Sequence, residues 1–163
     1  GYLAEAATLV YDATDQILGR LASLVAKQLM SARKAGREQR IIIYNAEHAV
    51  VSGSRTRVLT NYRGKYKLNH ARKGPFYPRM PDQILKRTVR GMLPYQKNSS
   101  GRGALRDLRV MIGKPTNLTG DNLPDGHALG DTVAIDRPLP LKFIRLGEIS
   151  SSLGVDASRW EGE

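Results

Sequence analysis

Hydrophobic residues in this chain fall into short continuous runs and stripes of helical period, and the order in which the two alternate predicts an architecture. Thr8 to Asp12 (TLVYD) reads as a short buried strand, followed by a turn at Ala13 to Gln16. Leu18, Leu21, Ala22, Val25 and Leu29 then recur at the spacing of one helix face, while Arg20 and Lys27 point the other way. Gly36 reads as the stop of that helix, preceded by Arg33 and Lys34, whose charges suit a helix C-terminus. Arg40 to Ala46 (RIIIYNA) is a non-alternating, β-branched run, the pattern of a strand buried on both faces in a parallel sheet covered by helices. Strand, helix and buried strand make a βαβ unit, and Leu108 to Ile112 (LRVMI) offers a third strand. The expected fold class is α/β, a three-layer α/β/α sandwich on a small, mostly parallel sheet.

Between the second and third strands the pattern is mainly helical. Pro81 and Asp82 open a segment in which Leu85, Thr88, Val89 and Met92 share one face while Lys86, Arg87 and Arg90 share the other. Pro94 ends it; Lys97 to Gly103 (KNSSGRG) reads as a flexible basic loop leading into a short helix at Ala104 to Leu108. After Gly113 the chain turns to Pro, Gly, Asn and Asp as far as Pro140, which predicts a long irregular excursion over the surface. Lys142 to Leu146 is expected to return as an edge strand and Gly147 to Leu153 as a short helix. The expectation is a single domain over 1–163, with a core over 8–113, the excursion over 114–140 and the return over 141–155.

Composition narrows the chemistry. A chain of 163 residues, 40% hydrophobic, can build a core without a disulfide or a metal clip. The absence of cysteine excludes thiolate nucleophiles and every zinc site that needs sulfur. No apolar run approaches the roughly 20 residues of a membrane span, and residues 1–8 lack the layout of a secretory signal, so a cytoplasmic protein with no membrane partner is expected.

The charge is uneven. Residues 1–53 carry 6 basic and 5 acidic side chains, residues 54–109 carry 15 and 2, and residues 110–163 carry 5 and 8. The net of +13 in the middle third would repel itself without a counter-charge. Its cations are interleaved with glycines and with Tyr62, Tyr66, Phe76, Tyr77 and Tyr95. Phosphates call for cations and N–H donors, and exposed bases accept flat rings, so the mixture suits folded RNA better than a lipid surface. No helix-turn-helix layout, zinc-finger spacing or heptad-bearing basic helix points to duplex DNA.

An enzyme on a βαβ scaffold would need a glycine fingerprint for a nucleotide. Ala13 to Arg20 (ATDQILGR) holds a single glycine, read as permitting close helix packing, and Gly113-Lys114 runs into Pro115. His48, His70 and His127 lie far apart without metal-ligand spacing, and Asp12 with Asp15 fits a turn and helix cap better than a catalytic pair. No cofactor, metal, small-molecule substrate or catalytic residue is expected.

Three stretches in this order resemble the universal thirteenth protein family of the large ribosomal subunit: Tyr11-Asp12-Ala13 with Leu18-Gly19-Arg20-Leu21-Ala22-Ser23; Tyr44 to Gly53 (YNAEHAVVSG); and Arg87 to Pro94 (RTVRGMLP) with Gly101-Arg102-Gly103-Ala104 beyond. Gly74 to Pro78 (GPFYP) and Leu146 to Ser150 (LGEIS) are similar to its archaeal branch. The resemblance covers Thr8 to Gly113. It implies a three-layer α/β/α fold and a non-catalytic protein that binds large-subunit ribosomal RNA, supports assembly and meets neighbouring ribosomal proteins. Residues 114–137 match less clearly, and their acidic balance fits a neighbouring protein or solvent better than RNA.

The expected phosphate contacts are Arg55, Arg57, Lys65, Lys67, Arg72, Lys73, Arg79, Lys86, Arg87, Arg90, Lys97, Arg102 and Arg106, with Tyr66 and Tyr77 as stacking candidates. The rival readings are a free-standing regulatory RNA-binding module and a nucleotide-using enzyme on the same scaffold.

Overall fold

The computed structural model describes residues 7–67, 78–94, 99–118 and 123–161, with 66, 67, 99 and 100 described by their backbone. Strands β1 (Thr8–Asp12), β2 (Arg40–Tyr44), β4 (Leu108–Val110) and β5 (His127–Leu129) form a sheet in the order β4-β2-β1-β5. Every pairing in it is parallel. Strand β3 (Val50–Ser52) pairs antiparallel with β6 (Phe143–Arg145) in a separate two-stranded ribbon. The helices are α1 (Leu18–Lys34), α2 (Arg55–Lys67), α3 (Pro81–Gly91), α4 (Ser99–Arg106) and α5 (Leu146–Ser152).

The sheet is central because β1 and β2 have apolar side chains on both faces. Leu9, Tyr11, Ile41 and Ile43 belong to the main core, together with buried residues of all five helices, among them Leu21, Val25, Val58, Leu85, Ala104 and Ile149. Val10 and Tyr44 point the opposite way, against Leu118 and the partly buried Ile42, Met111 and Leu123. That second face is covered by a 3-10 turn at Thr116–Leu118 and the chain around it. The architecture is α/β with a mostly parallel central sheet flanked by helices, as the sequence pattern predicts.

The β1–α1–β2 unit follows the pattern closely. In α1 the buried residues are the five of the predicted stripe together with Ala26 and Ala32. Gly36 (φ +70°) ends the helix in a left-handed turn, in which Gly36 N–H donates to Arg33 O and Arg37 N–H to Ala32 O. Asp12 Oδ1 accepts from Thr14 N–H at 2.9 Å and from the Asn45 side-chain amide at 3.1 Å, tying the C-terminal ends of β1 and β2 together. Asp15 instead pairs with Arg145 at 2.8 Å. The two aspartates thus have separate structural partners.

Several local expectations are corrected. Ser99 to Gly103 is helical, so the predicted flexible loop over Lys97 to Gly103 does not extend past residue 98, and Lys97 itself lies outside the described residues. The two glycines read as breakers, but α4 runs through both, and a Cβ at Gly103 would stand 2.5 Å from the guanidinium at the flexible end of the Arg33 side chain. Gly19 has the opposite character: a Cβ would meet nothing within 4 Å, and helix packing does not call for it. In α3 the buried stripe is Pro81, Ile84, Leu85 and Val89, whereas Met92 follows the helix and is 45% exposed. Within the excursion, His127–Leu129 adds a fourth strand beside β1 that three residues were too few to announce. Gly130 follows it directly over the Tyr11 ring, where a Cβ would stand 2.1 Å from the ring carbon bearing the hydroxyl.

Tyr11 is buried and its hydroxyl has no hydrogen-bond partner among the described residues. Burial, reinforced by the charge of Asp131, pushes its pKa from 10.0 up to about 12. In the window between these values the folded state holds a proton that the unfolded chain has lost, so stability is full below the lower value and drains away as pH rises through the window. The loss should grow steadily across this window. Denaturant titrations should find Tyr11→Phe neutral or slightly stabilising at neutral pH, since it removes an unsatisfied buried hydroxyl. They should also find that much of the alkaline loss is gone; a variant with the same alkaline decline as the parent would contradict this account.

Candidate nucleic-acid interface

The basic third is carried mainly by α2, α3 and α4, and each of these helices gives one side to the core. In α2 Val58 and Leu59 are buried while Arg55, Arg57, Arg63 and Lys65 are exposed. In α3 the buried stripe leaves Lys86, Arg87 and Arg90 half-buried at its borders. In α4 Ala104 is sealed against the core while Arg102 and Arg106 are exposed. Arg79 is exposed just ahead of α3.

The expected contacts do not all have the same freedom. Lys86 Nζ donates to the carbonyl of Leu108 at 2.9 Å, which turns this cation inward to hold α3 on β4. Arg55 Nη1 donates to Glu148 of α5, so its charge is shared with a carboxylate. The Arg57 guanidinium lies over Gly53, whose φ of +132° and missing Cβ make the room. Lys65 Nζ sits 4.6 Å from the centroid of the Tyr62 ring, a cation–π arrangement. The side chains of Tyr66 and Lys67, and residues Arg72, Lys73, Tyr77 and Lys97, lie outside the described residues.

Two concave regions gather the cations. Lys65 of α2 and Arg87 of α3 border a cavity of about 280 Å³, together with Tyr62 and Ile84. Arg55 and Arg63 border a wider cleft of about 530 Å³ that also receives His48, Arg145 and Trp160, along with the carboxylates of Glu47, Glu148 and Glu161. Arg63, like the exposed Arg109 of β4, is missing from the expected contacts although the charge count of residues 54–109 includes both. Tyr62 is likewise added by the structure: burial raises its hydroxyl pKa, so it stays a neutral ring with a protonated handle.

The segment Tyr44 to Gly53 proves to be architectural. Asn45 adopts a left-handed conformation (φ 59°), and the buried Glu47 accepts the Gly113 N–H with both carboxylate oxygens at 3.0 and 3.2 Å. Gly147 lets α5 sit on this turn, since a Cβ there would press to 3.3 Å on the Glu47 carbonyl. Among the described residues no helix is long and apolar enough to cross a membrane.

The family model described as Ribosomal protein L13 matches residues 6–117, the span that contains three of the four strands of the parallel sheet and all three basic helices. The chain belongs to the ribosomal protein L13 family. It is similar to large ribosomal subunit protein uL13 of Methanosarcina barkeri, 45% identical over 150 residues that cover 89% of this chain and 96% of the relative. The uL13 proteins of Archaeoglobus fulgidus and Halobacterium salinarum are 41% and 40% identical, covering 89% and 93% of this chain and 86% and 94% of their own. It is thus an archaeal-type member of the L13 family, as the motifs suggest.

In this L13-family chain, fold and surface roles should separate along α3 and its neighbours. Leu85→Ala should lower stability by about 2–5 kcal/mol, and Lys86→Met by roughly 1.5 kcal/mol through the lost bond to Leu108. Arg63→Ala and Arg106→Ala, both on exposed faces, should stay within about 0.5 kcal/mol of the parent. Urea melts of the four variants check the assignment, and a large loss for either arginine would show that it belongs to the core.

Proposed function

We propose that this chain is a structural, non-catalytic constituent of the large ribosomal subunit that binds and stabilises folded large-subunit ribosomal RNA and supports assembly of the subunit. The observation that carries the reading is the concentration of 15 cations against 2 carboxylates in residues 54–109 of an L13-family chain, ten of the cations lying on α2, α3 and α4, whose opposite sides are locked into an α/β core. A rigid array of this kind matches the three-dimensional shape of phosphates from several RNA helices, with counterion release supplying affinity. Arg57, Lys65, Arg79, Arg87, Arg90, Arg102 and Arg106 are the phosphate contacts we assign within the described residues, joined by Arg63. Arg55 and Lys86 act there with part of their charge already engaged. Lys67, Arg72, Lys73 and Lys97 extend the same set, and Tyr66 and Tyr77 are its stacking candidates.

The C-terminal third suits a different neighbour. Its charge balance is acidic, and Leu129, Val133, Leu139 and Leu141 are exposed, Leu141 almost completely at 99%. Carboxylates repel RNA phosphates, and exposed apolar side chains beside them fit an adjoining ribosomal protein.

If about 6–10 phosphates are neutralised, affinity for isolated large-subunit RNA should fall by about 10³–10⁵ between roughly 50 and 200 mM salt. Filter binding across that range measures the slope, and a flat response would remove the electrostatic basis of the reading. Co-sedimentation separates it from a free-standing regulatory module: a structural constituent stays with large subunits through a salt wash that strips loosely held factors.

A further inference from the structure

We propose that the outer edge of β5 is a docking strand for a neighbouring large-subunit protein, which lays an extended segment bearing lysine or arginine beside His127–Leu129. The inference rests on the ribosomal reading above, and names where a protein neighbour is held and by what kind of segment.

Strands β4 and β5 are the outermost of the parallel sheet, so each turns alternate backbone groups away from its neighbour. On β4 the Ile41 N–H donates to Asp107 O and the Met111 N–H to Ile43 O, so residues 107 and 111 face β2 and Leu108 faces outward. That edge is occupied from within the molecule: Lys86 Nζ donates to the Leu108 carbonyl at 2.9 Å, and α3 packs alongside. On β5 the Thr8 N–H donates to Gly126 O and the Gly130 N–H to Val10 O, which turns residues 126, 128 and 130 toward β1. His127 and Leu129 alternate with them and face outward. The His127 N–H closes a turn on the Pro124 carbonyl at 3.1 Å, whereas the N–H and C=O of Leu129 have no hydrogen-bond partner among the described residues. The Leu129 side chain is itself 50% exposed. Edges of this kind are templates for strand addition, and soluble chains blunt them with lysine, proline or a covering element. β4 has such a guard; His127–Leu129 contains neither lysine nor proline.

The chemistry of the edge selects its occupant. Outward N–H and C=O groups are complemented by another polypeptide, whose backbone carries the same pair. From Thr116 to Asp136 the sequence holds four aspartates and no lysine or arginine. Two of these, Asp125 and Asp131, are exposed and stand two residues before and two after β5. They repel phosphates and attract a segment with cations. Leu129 lies in register with Val10, on the face of the sheet that also holds Tyr44 and Leu118, so an apolar side chain of the added strand extends that cluster. RNA is disfavoured by the carboxylates. A second copy of this chain paired through the same edge would set its own aspartates against these.

The test uses intact large subunits assembled with p-benzoylphenylalanine in place of Leu129. Irradiation should join this position to one neighbouring protein, within a peptide that bears lysine or arginine. Hydrogen exchange reads the main chain: in the parent, the amide of Leu129 should exchange freely in the isolated chain and be protected in the subunit. Leu129→Pro deletes the outward N–H and no bond to β1, and Leu129→Lys places on β5 the kind of guard that Lys86 gives β4. Both should keep the melting temperature of the isolated chain and lower retention of the crosslinked neighbour on salt-washed subunits; if proline perturbs the fold, the lysine variant decides. Crosslinks to RNA alone, crosslinks between two copies of this chain, rapid exchange at Leu129 in the subunit, or full retention of the neighbour with Leu129→Lys would each overturn the proposal. A parent chain that fails to stay with large subunits would overturn it together with the ribosomal reading.

Discussion

Burial of β1 and β2 on both faces is the constraint from which the rest of the molecule follows. Their parallel register places Leu9 beside Ile41 and Tyr11 beside Ile43 and sends all four side chains toward the helices. Each helix on that side must give up an apolar stripe to cover them, and once the stripe is fixed the direction of its charged residues is fixed too. This matters most for α2, α3 and α4, where like charges crowd together. Anchors such as Val58, Leu85 and Ala104 hold the basic helices in place against their mutual repulsion. The direction of the basic surface is therefore a by-product of core packing, and that surface is held by the same anchors on its inward side.

Legibility in the sequence tracks how local each determinant is. The stripe of α1 and the unbroken RIIIY run of β2 are complete signals within one window, and both elements fall where the pattern places them. Strands β3 and β5 have three residues each, too few for a period to show, and β5 owes its place partly to Gly130 packing on Tyr11, distant in the chain. Helix α4 is hidden by glycines that read as breakers until the Arg33 side chain beside Gly103 is seen. The candidate site divides in the same way. Counting charges locates the basic third, but cannot tell that Lys86 is engaged 22 residues away at Leu108 or Arg55 93 residues away at Glu148.

These engagements also show what the acidic C-terminal third does for the rest. Asp15 with Arg145, Gln16 with Asp136 at 2.9 Å, and Arg55 with Glu148 bind the returning chain to the start of α1 and to α2. All three contacts have exposed or partly exposed side chains, so each adds little stability alone. Their effect is positional, since the ribbon of β3 and β6 and helix α5 are brought back beside α2 rather than left as a tail. The same contacts take Arg55 partly out of the positive field.

Glycines separate the family motifs into inward and outward parts. Gly53, Gly103, Gly130 and Gly147 each let a named side chain or carbonyl approach closely, so the fold itself accounts for them. Gly19, Gly64 and Gly91 lie in α1, α2 and α3 with ordinary helical backbone, and a Cβ at any of them would meet nothing within 4 Å. Glycine in a helix interior is less favourable than alanine by about 1 kcal/mol. No contact within the described chain offsets that penalty at Gly64, the one of the three that stands inside its helix; Gly19 and Gly91 stand in the first turn of α1 and at the last residue of α3. Two of them adjoin exposed or half-buried cations, Arg20 and Lys65, and the third stands between Arg90 and the exposed Met92. The two sets of glycines therefore differ in what they serve: the first lets the chain approach itself, and the second leaves the helix surface open beside a positive charge.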